Sequence, residues 1–169
     1  MKKHILFNFK NLTLSILSFT LFIFINSCKK TSEKATEKMI EKSIGNDANV
    51  DIDDEKVTIK TEEGTFTTDA NTNSWPDNIS NDIPEFKYGE IISVTTQEMD
   101  EGNGWMIIFE EVSKTALSDY QTELKKKGFK ITNMTTYGTG GMISAHKDKL
   151  IVTIISGDDN ATVSVSAEK

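Results

Sequence analysis

Few residues in this sequence are of the types that do chemistry, and their spacing fits few catalytic patterns. Cys28 is the only cysteine, and His146 is the only histidine beyond His4. A lone cysteine has no partner for an intramolecular disulfide. No recognisable motif places a nucleophile beside His146, and geometry as well as residue type defines a catalytic group. We therefore interpret His146 as a surface residue at a strand end, and the sequence predicts no catalytic residue and no enzyme.

Three acidic clusters have residue types that bind calcium, namely Asp51–Glu55, Met99–Asn103 and Gly157–Asn160. None has the ligand spacing or the bidentate glutamate of the twelve-residue calcium loop. Asp, Asn and Gly are also the residues that tight turns require. The favoured interpretation is three turns with adventitious ion binding or none. We therefore predict no metal site and no cofactor.

A glycine-rich run, TTYGTGG at 135–141, has the composition of a phosphate-binding loop. Such a loop needs a helix N-terminus after it and a Lys-Ser/Thr pair at its end. Neither follows here, since the next residues, MISAH, favour a strand. The sequence predicts a wide hairpin loop at this point.

Cys28 stands at the end of a segment that has the pattern of a secretory leader. Lys2, Lys3 and Lys10 precede an apolar run of 14 residues, Leu12–Ile25. A membrane-spanning helix needs about 20 apolar residues, so this run is too short to span and suits the apolar region of a signal peptide. Residues 1–27 are therefore the predicted signal peptide.

The string Ile25-Asn26-Ser27-Cys28 resembles the lipobox of bacterial lipoproteins, in which an aliphatic residue and a small residue precede the cysteine. The resemblance implies cleavage after Ser27 and acylation of Cys28. An ordinary signal peptide with an incidental cysteine and an uncleaved anchor are the alternatives. We expect Cys28 to carry acyl chains such as palmitate. The predicted location is the bacterial cell envelope, on the outer membrane facing the periplasm.

The mature chain is strongly acidic. Loss of the leader's three lysines takes the formal net charge from −7 to −10, and the sequence has no arginine. Nucleic-acid binding needs positive charge at the phosphates and often arginine at the bases. The sequence thus predicts no nucleic-acid partner, and it predicts membrane attachment through the acyl chains on Cys28. An envelope protein is the possible partner.

Changes in composition divide the chain into four segments. Residues 1–27 are the predicted leader, and 28–49 hold the lipidated cysteine and a charged tether helix. Alternating apolar and polar residues predict a β-hairpin in 50–74, followed there by a linker of turn-forming residues. Residues 75–169 have the pattern of a globular domain.

The clearest element of the predicted domain is a helix. Leu117, Tyr120 and Leu124 lie on one stripe, Ser113 is the predicted N-cap, and Gly128 supplies the left-handed residue after the helix. Two strands are predicted before this helix and four after it. The predicted fold class is α+β, an antiparallel β-sheet with one main helix packed on it in ββαββββ order. A short helix and a small β-hairpin precede it.

Two predicted strands matter for function. Trp105, Ile107 and Phe109 share one face of a strand at period two. The apolar run LIVTII at 150–155 predicts a central strand covered on more than one side. If the protein is a periplasmic carrier of a small ligand or glycan, the sheet face near Trp105 is the predicted site.

The mature chain as a whole resembles a family of small bacterial envelope lipoproteins of unknown function. The segments that carry the resemblance are the lipobox, EKMIEKSIG, VDIDDEKVTIKTEEGTFT, WPDNISNDIPEFKYGEI and DYQTELKKKGF. These motifs are structural, so the resemblance implies an envelope location and assigns no catalytic or binding residue. We expect a lipid-anchored binding or assembly-supporting module, with the small-ligand or glycan carrier as the alternative.

Overall fold

The computed structural model describes residues 33–44 and 48–169. Cys28 and the predicted leader lie outside these residues. Residues 34–169 belong to one compact unit.

Two helices and nine strands make up the described part of the chain. In chain order they are α1 (Glu33–Ile44), β1 (Asn49–Asp53), β2 (Lys56–Thr61), β3 (Gly64–Asp69), β4 (Glu90–Met99), β5 (Gly102–Glu110), α2 (Ala116–Lys126), β6 (Lys130–Tyr137), β7 (Gly140–Lys147), β8 (Leu150–Ser156) and β9 (Asn160–Glu168). All strands join one antiparallel sheet in the order β1-β2-β3-β4-β5-β9-β8-β7-β6. The predicted α+β class with an antiparallel sheet is confirmed.

The predicted hairpin before residue 75 is present as β1 and β2, whereas the third strand of this region, β3, was not predicted. The segment 50–74 forms three strands with its neighbours, and β3 pairs with β4 from Gly64↔Met99 to Asp69↔Val94. Backbone N–H and C=O groups of a strand need partners, and the edge of β4 supplies them to β3. The segments 50–74 and 75–169 therefore share one sheet, and a second helix, α1, precedes it.

The main core lies between α2, the segment 75–88 and one face of strands β4–β9. Its best-buried side chains include Phe86, Ile107, Phe109, Leu124 and Ile154, each 2% exposed or less. Burying side chains of this size stabilises a domain by about 1.5–3 kcal/mol each before the entropic cost is counted. This core fixes α2 and the segment 75–88 against the sheet.

Apolar side chains change face between β3 and β4. Directly opposite residues of antiparallel strands point to the same side of a sheet. Val57 lies opposite Thr68, which lies opposite Thr95, whereas Val94 lies opposite Ile107 of the main core. The apolar residues of β1–β3 therefore lie on the side of the sheet away from the main core. At the change, Thr68 Oγ1 and Thr95 Oγ1 share a hydrogen bond of 3.0 Å.

The C-terminal end of α2 is formed as the sequence predicts. Gly128 has φ +87°. Its N–H donates to Lys125 O at 3.0 Å, and the Phe129 N–H donates to Leu124 O at 2.9 Å. These are the two hydrogen bonds of a Schellman ending, which turns the chain from α2 into β6.

The N-terminal end of α2 does not match the prediction that Ser113 is its cap. The helix begins at Ala116, and Thr115 occupies the N-cap position without a side-chain cap hydrogen bond. Ser113 lies in a turn before the helix, where its N–H donates to Tyr88 O at 2.9 Å and its carbonyl accepts from the Ala116 N–H at 3.0 Å. The bond to Tyr88 ties Ser113 to the segment before β4, and the helix starts only after the chain has turned.

The prediction that the LIVTII strand is covered on more than one side is wrong. In β8, Val152 and Ile154 are fully buried, whereas Ile151 and Ile155 are 42% and 50% exposed. The reason is that α2 packs on only one face of the sheet. By contrast, β9 alternates as predicted, with Val163 and Val165 buried.

The predicted wide loop at 135–141 is a tight turn. Tyr137 pairs with Gly140, so only Gly138 and Thr139 connect β6 to β7. Gly138 has φ +60°, a conformation that two-residue hairpin loops need and that glycine adopts without strain. The run TTYGTGG therefore supplies two strand ends and a turn.

Candidate functional site

The structure distributes the residues that the sequence singles out over several parts of the sheet. His146 is an exposed residue of β7, and the acidic clusters lie at the β1–β2, β4–β5 and β8–β9 turns. In residues 33–44 and 48–169, no group of three or more His, Cys, Asp or Glu side chains is placed to hold a metal ion. Cys28 lies outside the described residues. One contact joins two of the described candidates, since the Thr139 hydroxyl of the glycine-rich run donates to Asp158 Oδ1 of the β8–β9 turn at 3.2 Å.

Trp105 is not available to a ligand. Its side chain is 4% exposed and belongs to the main core. The indole Nε1–H donates to Asn78 Oδ1 at 2.9 Å. The indole thus positions the segment before β4, and the sheet face that it shares with Ile107 is covered.

The segment 75–88 is held on the core by two aromatic donors and two turns. Besides the Trp105 bond, the Tyr120 hydroxyl donates to Pro84 O at 2.9 Å. Turns close between Pro76 O and the Ile79 N–H and between Ser80 O and the Ile83 N–H. The two prolines keep this segment out of a helix, and the donors fix its path.

A cleft of about 650 Å³ lies between this segment and the C-terminal half of α2. Its lining includes one half-buried aromatic residue, two prolines and equal numbers of acidic and basic side chains, namely Trp75, Pro76, Pro84, Asp77, Glu85, Glu123, Lys87, Lys126 and Lys127. The charges balance, so the cleft has no preference for a single sign of ligand. It can bind a ligand of mixed polarity, and it holds no arrangement of nucleophile and base.

Two tyrosines in the aromatic cluster beside the cleft have hydroxyl groups with raised pKa values. Phe86 lies edge-on to Tyr88, Phe109 and Tyr120, with ring centroids 4.6–5.2 Å apart. Burial, and then the neighbouring Glu123 carboxylate, raises the pKa of Tyr88 to about 12. Burial is also the main cause of the raised pKa of Tyr120. Both hydroxyls therefore keep their protons at an alkaline pH at which an exposed tyrosine ionises.

One ion pair links this region to the sheet. Lys147 Nζ lies 2.9 Å from Asp82 Oδ1. The hydrogen bond and the positive charge of Lys147 hold the pKa of the Asp82 carboxyl below its usual value. Lys127 Nζ donates to Asn81 O at 3.0 Å, so both lysines serve structural contacts.

The other side of β5–β9 forms an open face, defined by the side chains that point away from α2. One row across this face is Met142, Ile155, Thr162 and Ile108, and the next is Ser144, Thr153, Ser164 and Met106. Ile155 is half exposed, and Ser144 Oγ and Thr153 Oγ1 share a hydrogen bond of 3.0 Å. These two rows carry no charged side chain. The open face is partly apolar, and the side chains of these two rows are half-buried or exposed.

The two edges of the sheet are occupied differently, and the β1 edge is covered by side chains of α1. The Val50 N–H donates to Glu41 Oε1 at 3.0 Å, and the Ile52 N–H donates to Glu37 Oε1 at 3.2 Å. Val50 and Ile52 alternate along β1, and their N–H groups point away from β2. Two carboxylates therefore take the place of a neighbouring strand.

The β6 edge is open. Seven of the eight β6 residues are exposed. Tyr137 and Gly140 close a two-residue loop, and such a closing pair exchanges both of its backbone hydrogen bonds. Alternation then points the backbone N–H and C=O groups of Met134 and Thr136 away from β7. Among the residues that the structure describes, no strand lies beyond β6.

Comparison of the chain with family models, with curated proteins and with solved structures finds no match. Within the described ranges, no helix is long and apolar enough to cross a membrane.

Proposed function

We propose that this chain is a lipid-anchored protein of the bacterial cell envelope that acts as a binding or assembly-supporting module. The leader pattern and the single cysteine at its end support the anchor. Acyl chains on Cys28 hold the protein at the membrane, on the outer membrane facing the periplasm. The resemblance to small envelope lipoproteins agrees with this location.

The open face is the observation that favours a protein partner. It presents Ile151 and Ile155, 42% and 50% exposed, around a centre of hydroxyl side chains. Accessible apolar side chains grouped on a surface are typical of protein interfaces, whereas small ligands bind in concave sites. On the opposite side, the space between α2 and the sheet is filled by fully buried side chains such as Tyr120, Leu124 and Ile143.

The cleft beside Trp75 favours a second candidate, the small-ligand or glycan carrier. Its volume of about 650 Å³ is within the range of ligand sites. The buried position of Trp105 removes the sheet face that the sequence suggested for this function. A carrier function therefore uses the indole of Trp75, so Trp75→Ala should abolish ligand binding.

Mass analysis of the protein extracted from membranes tests the anchor. We expect an N-terminus at Cys28 that carries acyl chains, and a Cys28→Ser variant that stays unprocessed or is released from the membrane. An unlipidated N-terminus elsewhere contradicts the anchor and leaves the open face to be tested separately.

Affinity capture from solubilised envelopes tests the binding function. We expect Ile155→Glu to lose a bound protein, because a charge at the centre of an apolar contact is left desolvated. Ile92→Glu is the matched control, since Ile92 is 38% exposed at the β4 bulge, outside the open face. Equal capture by both variants contradicts a partner at the open face, and a bound small molecule lost in Trp75→Ala favours the carrier.

A further inference from the structure

The β6 edge combines free backbone groups with an absence of charge. Residues 131–145 hold no Asp, Glu, Lys, Arg or His, and this is the longest such run after Cys28. Proteins usually protect an exposed edge strand with lysine, proline or a covering element. Lys130 lies at the start of β6, before the bulge between Ile131 and Asn133, and the residues beyond the bulge have no charge to repel another strand.

Edge protection is present at the opposite end of the sheet. There, Glu37 and Glu41 occupy the outward N–H groups, and Asp51 and Asp53 lie on β1 itself. A second strand that approached β1 would have to displace two carboxylates and face two more. Protection of one edge only indicates that the other edge is available for pairing.

We propose that the β6 edge pairs with the β6 edge of a second copy of this chain, antiparallel about a two-fold axis at Thr135. In this register Met134 lies opposite Thr136 of the second copy, and Thr136 lies opposite Met134 of the second copy. The outward N–H and C=O groups of both residues then exchange hydrogen bonds. The two nine-stranded sheets become one continuous sheet.

Charge favours a second copy as the occupant of this edge. Two identical mature chains with a net charge of −10 each repel one another wherever acidic surfaces meet. The run 131–145 is where two copies approach without any charged side chain between them. An uncharged edge that pairs with itself satisfies its backbone groups reciprocally, as an isologous interface requires.

The helices leave room for this pairing. In each copy α2 lies on the same side of the sheet, with β7 and β6 beneath it. From β7 of one copy to β7 of the other there are three strand spacings, about 14 Å in total. Packed helices need only about 8–10 Å between axes, so the two α2 helices pass without a clash.

The interface is small. Backbone bonds from two residues of each copy, with few side chains added, bury less than the about 1,200 Å² of the smallest stable interfaces. The dimer is therefore weak and concentration-dependent.

Disulfide trapping in the full chain tests the register. Thr135 of the two copies forms a non-hydrogen-bonded pair, in which Cα atoms are about 4.5 Å apart. This lies inside the range of about 4.4–6.8 Å that a disulfide spans. Under mild oxidation, we expect Thr135→Cys to give disulfide dimers on non-reducing gels. The wild-type protein is the control for disulfides that Cys28 forms. Thr122→Cys, on the exposed side of α2, is the control for disulfides that form by random collision.

A charged substitution on the β6 edge provides a second test of the pairing. Thr136→Lys, added to Thr135→Cys, should reduce the trapped dimer by about tenfold or more, because it places two lysines within the pairing. Thr122→Lys in the same background should leave the yield unchanged, and circular dichroism checks that both fold.

Three results overturn the proposal. One is an equal yield of dimer from Thr135→Cys and Thr122→Cys, and another is a yield that does not respond to Thr136→Lys. The third is a disulfide from Thr135→Cys to a different polypeptide, which would identify a heterologous strand at this edge.

Discussion

The two ends of the sheet each have a helix nearby, and the two helices interact with the sheet in different ways. Helix α2 buries Leu117, Tyr120 and Leu124 in the main core. Helix α1 binds the β1 edge through two carboxylates, and its Met39 is 72% exposed. Helix α2 therefore stabilises the fold by burial, whereas helix α1 protects the β1 edge by hydrogen bonding.

The spacing of residues along α1 matches the spacing of residues along β1, which explains how α1 protects the β1 edge. Residues four apart in a helix are separated by a rise of about 6 Å. Residues two apart in a strand are separated by about 6.8 Å. Glu37 and Glu41 can therefore reach the N–H groups of Ile52 and Val50 together. A row of acidic residues that looks like a solvated helix face in sequence has a structural partner.

The largest expected effect is on the buried helix. Leu124→Ala should lower the free energy of unfolding by about 2–5 kcal/mol, since it leaves a cavity between α2 and the sheet. Met39→Ala on α1 is the control and should change it by less than about 0.5 kcal/mol. Chemical denaturation measures both. Equal effects would show that the two helices do not differ as described.

Removal of the edge acceptors should have a smaller, local effect. Glu37→Ala and Glu41→Ala should each cost about 0.5–1.5 kcal/mol, because each leaves a strand N–H without its acceptor. Hydrogen exchange should show faster exchange at the Ile52 and Val50 amides respectively. Lys38→Ala, on the same helix, should leave both amides unchanged. Faster exchange in this control would mean that helix content alone protects the edge.

Alkaline pH tests the packing beside α2. The pKa of Tyr88 is about 12 in the folded chain, against about 10 in an unfolded one. Below pH 10 the hydroxyl is neutral in both states, so its contribution to stability is complete. As the pH rises from about 10 to 12, the unfolded state loses its proton first and the free energy of unfolding falls. Tyr88→Phe should make this fall shallower in denaturation curves measured at each pH, and identical slopes would contradict the assignment.

The smallest expected effect is at the change of apolar face. Ser93 Oγ is buried, and no hydrogen-bond partner for it is present among the described residues. Ser93→Ala should raise the free energy of unfolding by less than about 1 kcal/mol, since it removes an unsatisfied polar atom. Thr95→Ala should lower it instead, because Thr95 bonds to Thr68 across β3 and β4. Thermal denaturation distinguishes the two signs.

Elements whose residues interact mainly with one another can be predicted from the sequence. The stripe of Leu117, Tyr120 and Leu124 and the glycine at 128 predict both the buried face of α2 and its ending, because all of these residues interact within one helix and its last turn. Alternation in β9 is equally local.

Features that depend on distant partners were missed. The strand β3 contains a single large apolar residue, Phe66, so its pairing with β4 has no signal in its own pattern. The alternation of apolar residues along β5 predicts that Trp105 and Ile107 share a face of the sheet, but it does not predict which face α2 covers. The last residues of β6, Thr135–Tyr137, fall in the predicted loop, because the threonines and glycines of this run are typical of both turns and exposed strands.

The strand order determines which strand pairs can form early during folding. Every pair of neighbouring strands is consecutive in sequence except β5 and β9. The consecutive pairs other than β3–β4 need only short loop closures and form early, whereas β5 must wait for a strand that follows α2 and three further strands. We expect the β5–β9 ladder, from Gly102↔Glu168 to Glu110↔Asn160, to form last and to limit the folding rate. Substitutions confined to this ladder should therefore slow folding more than substitutions in any hairpin.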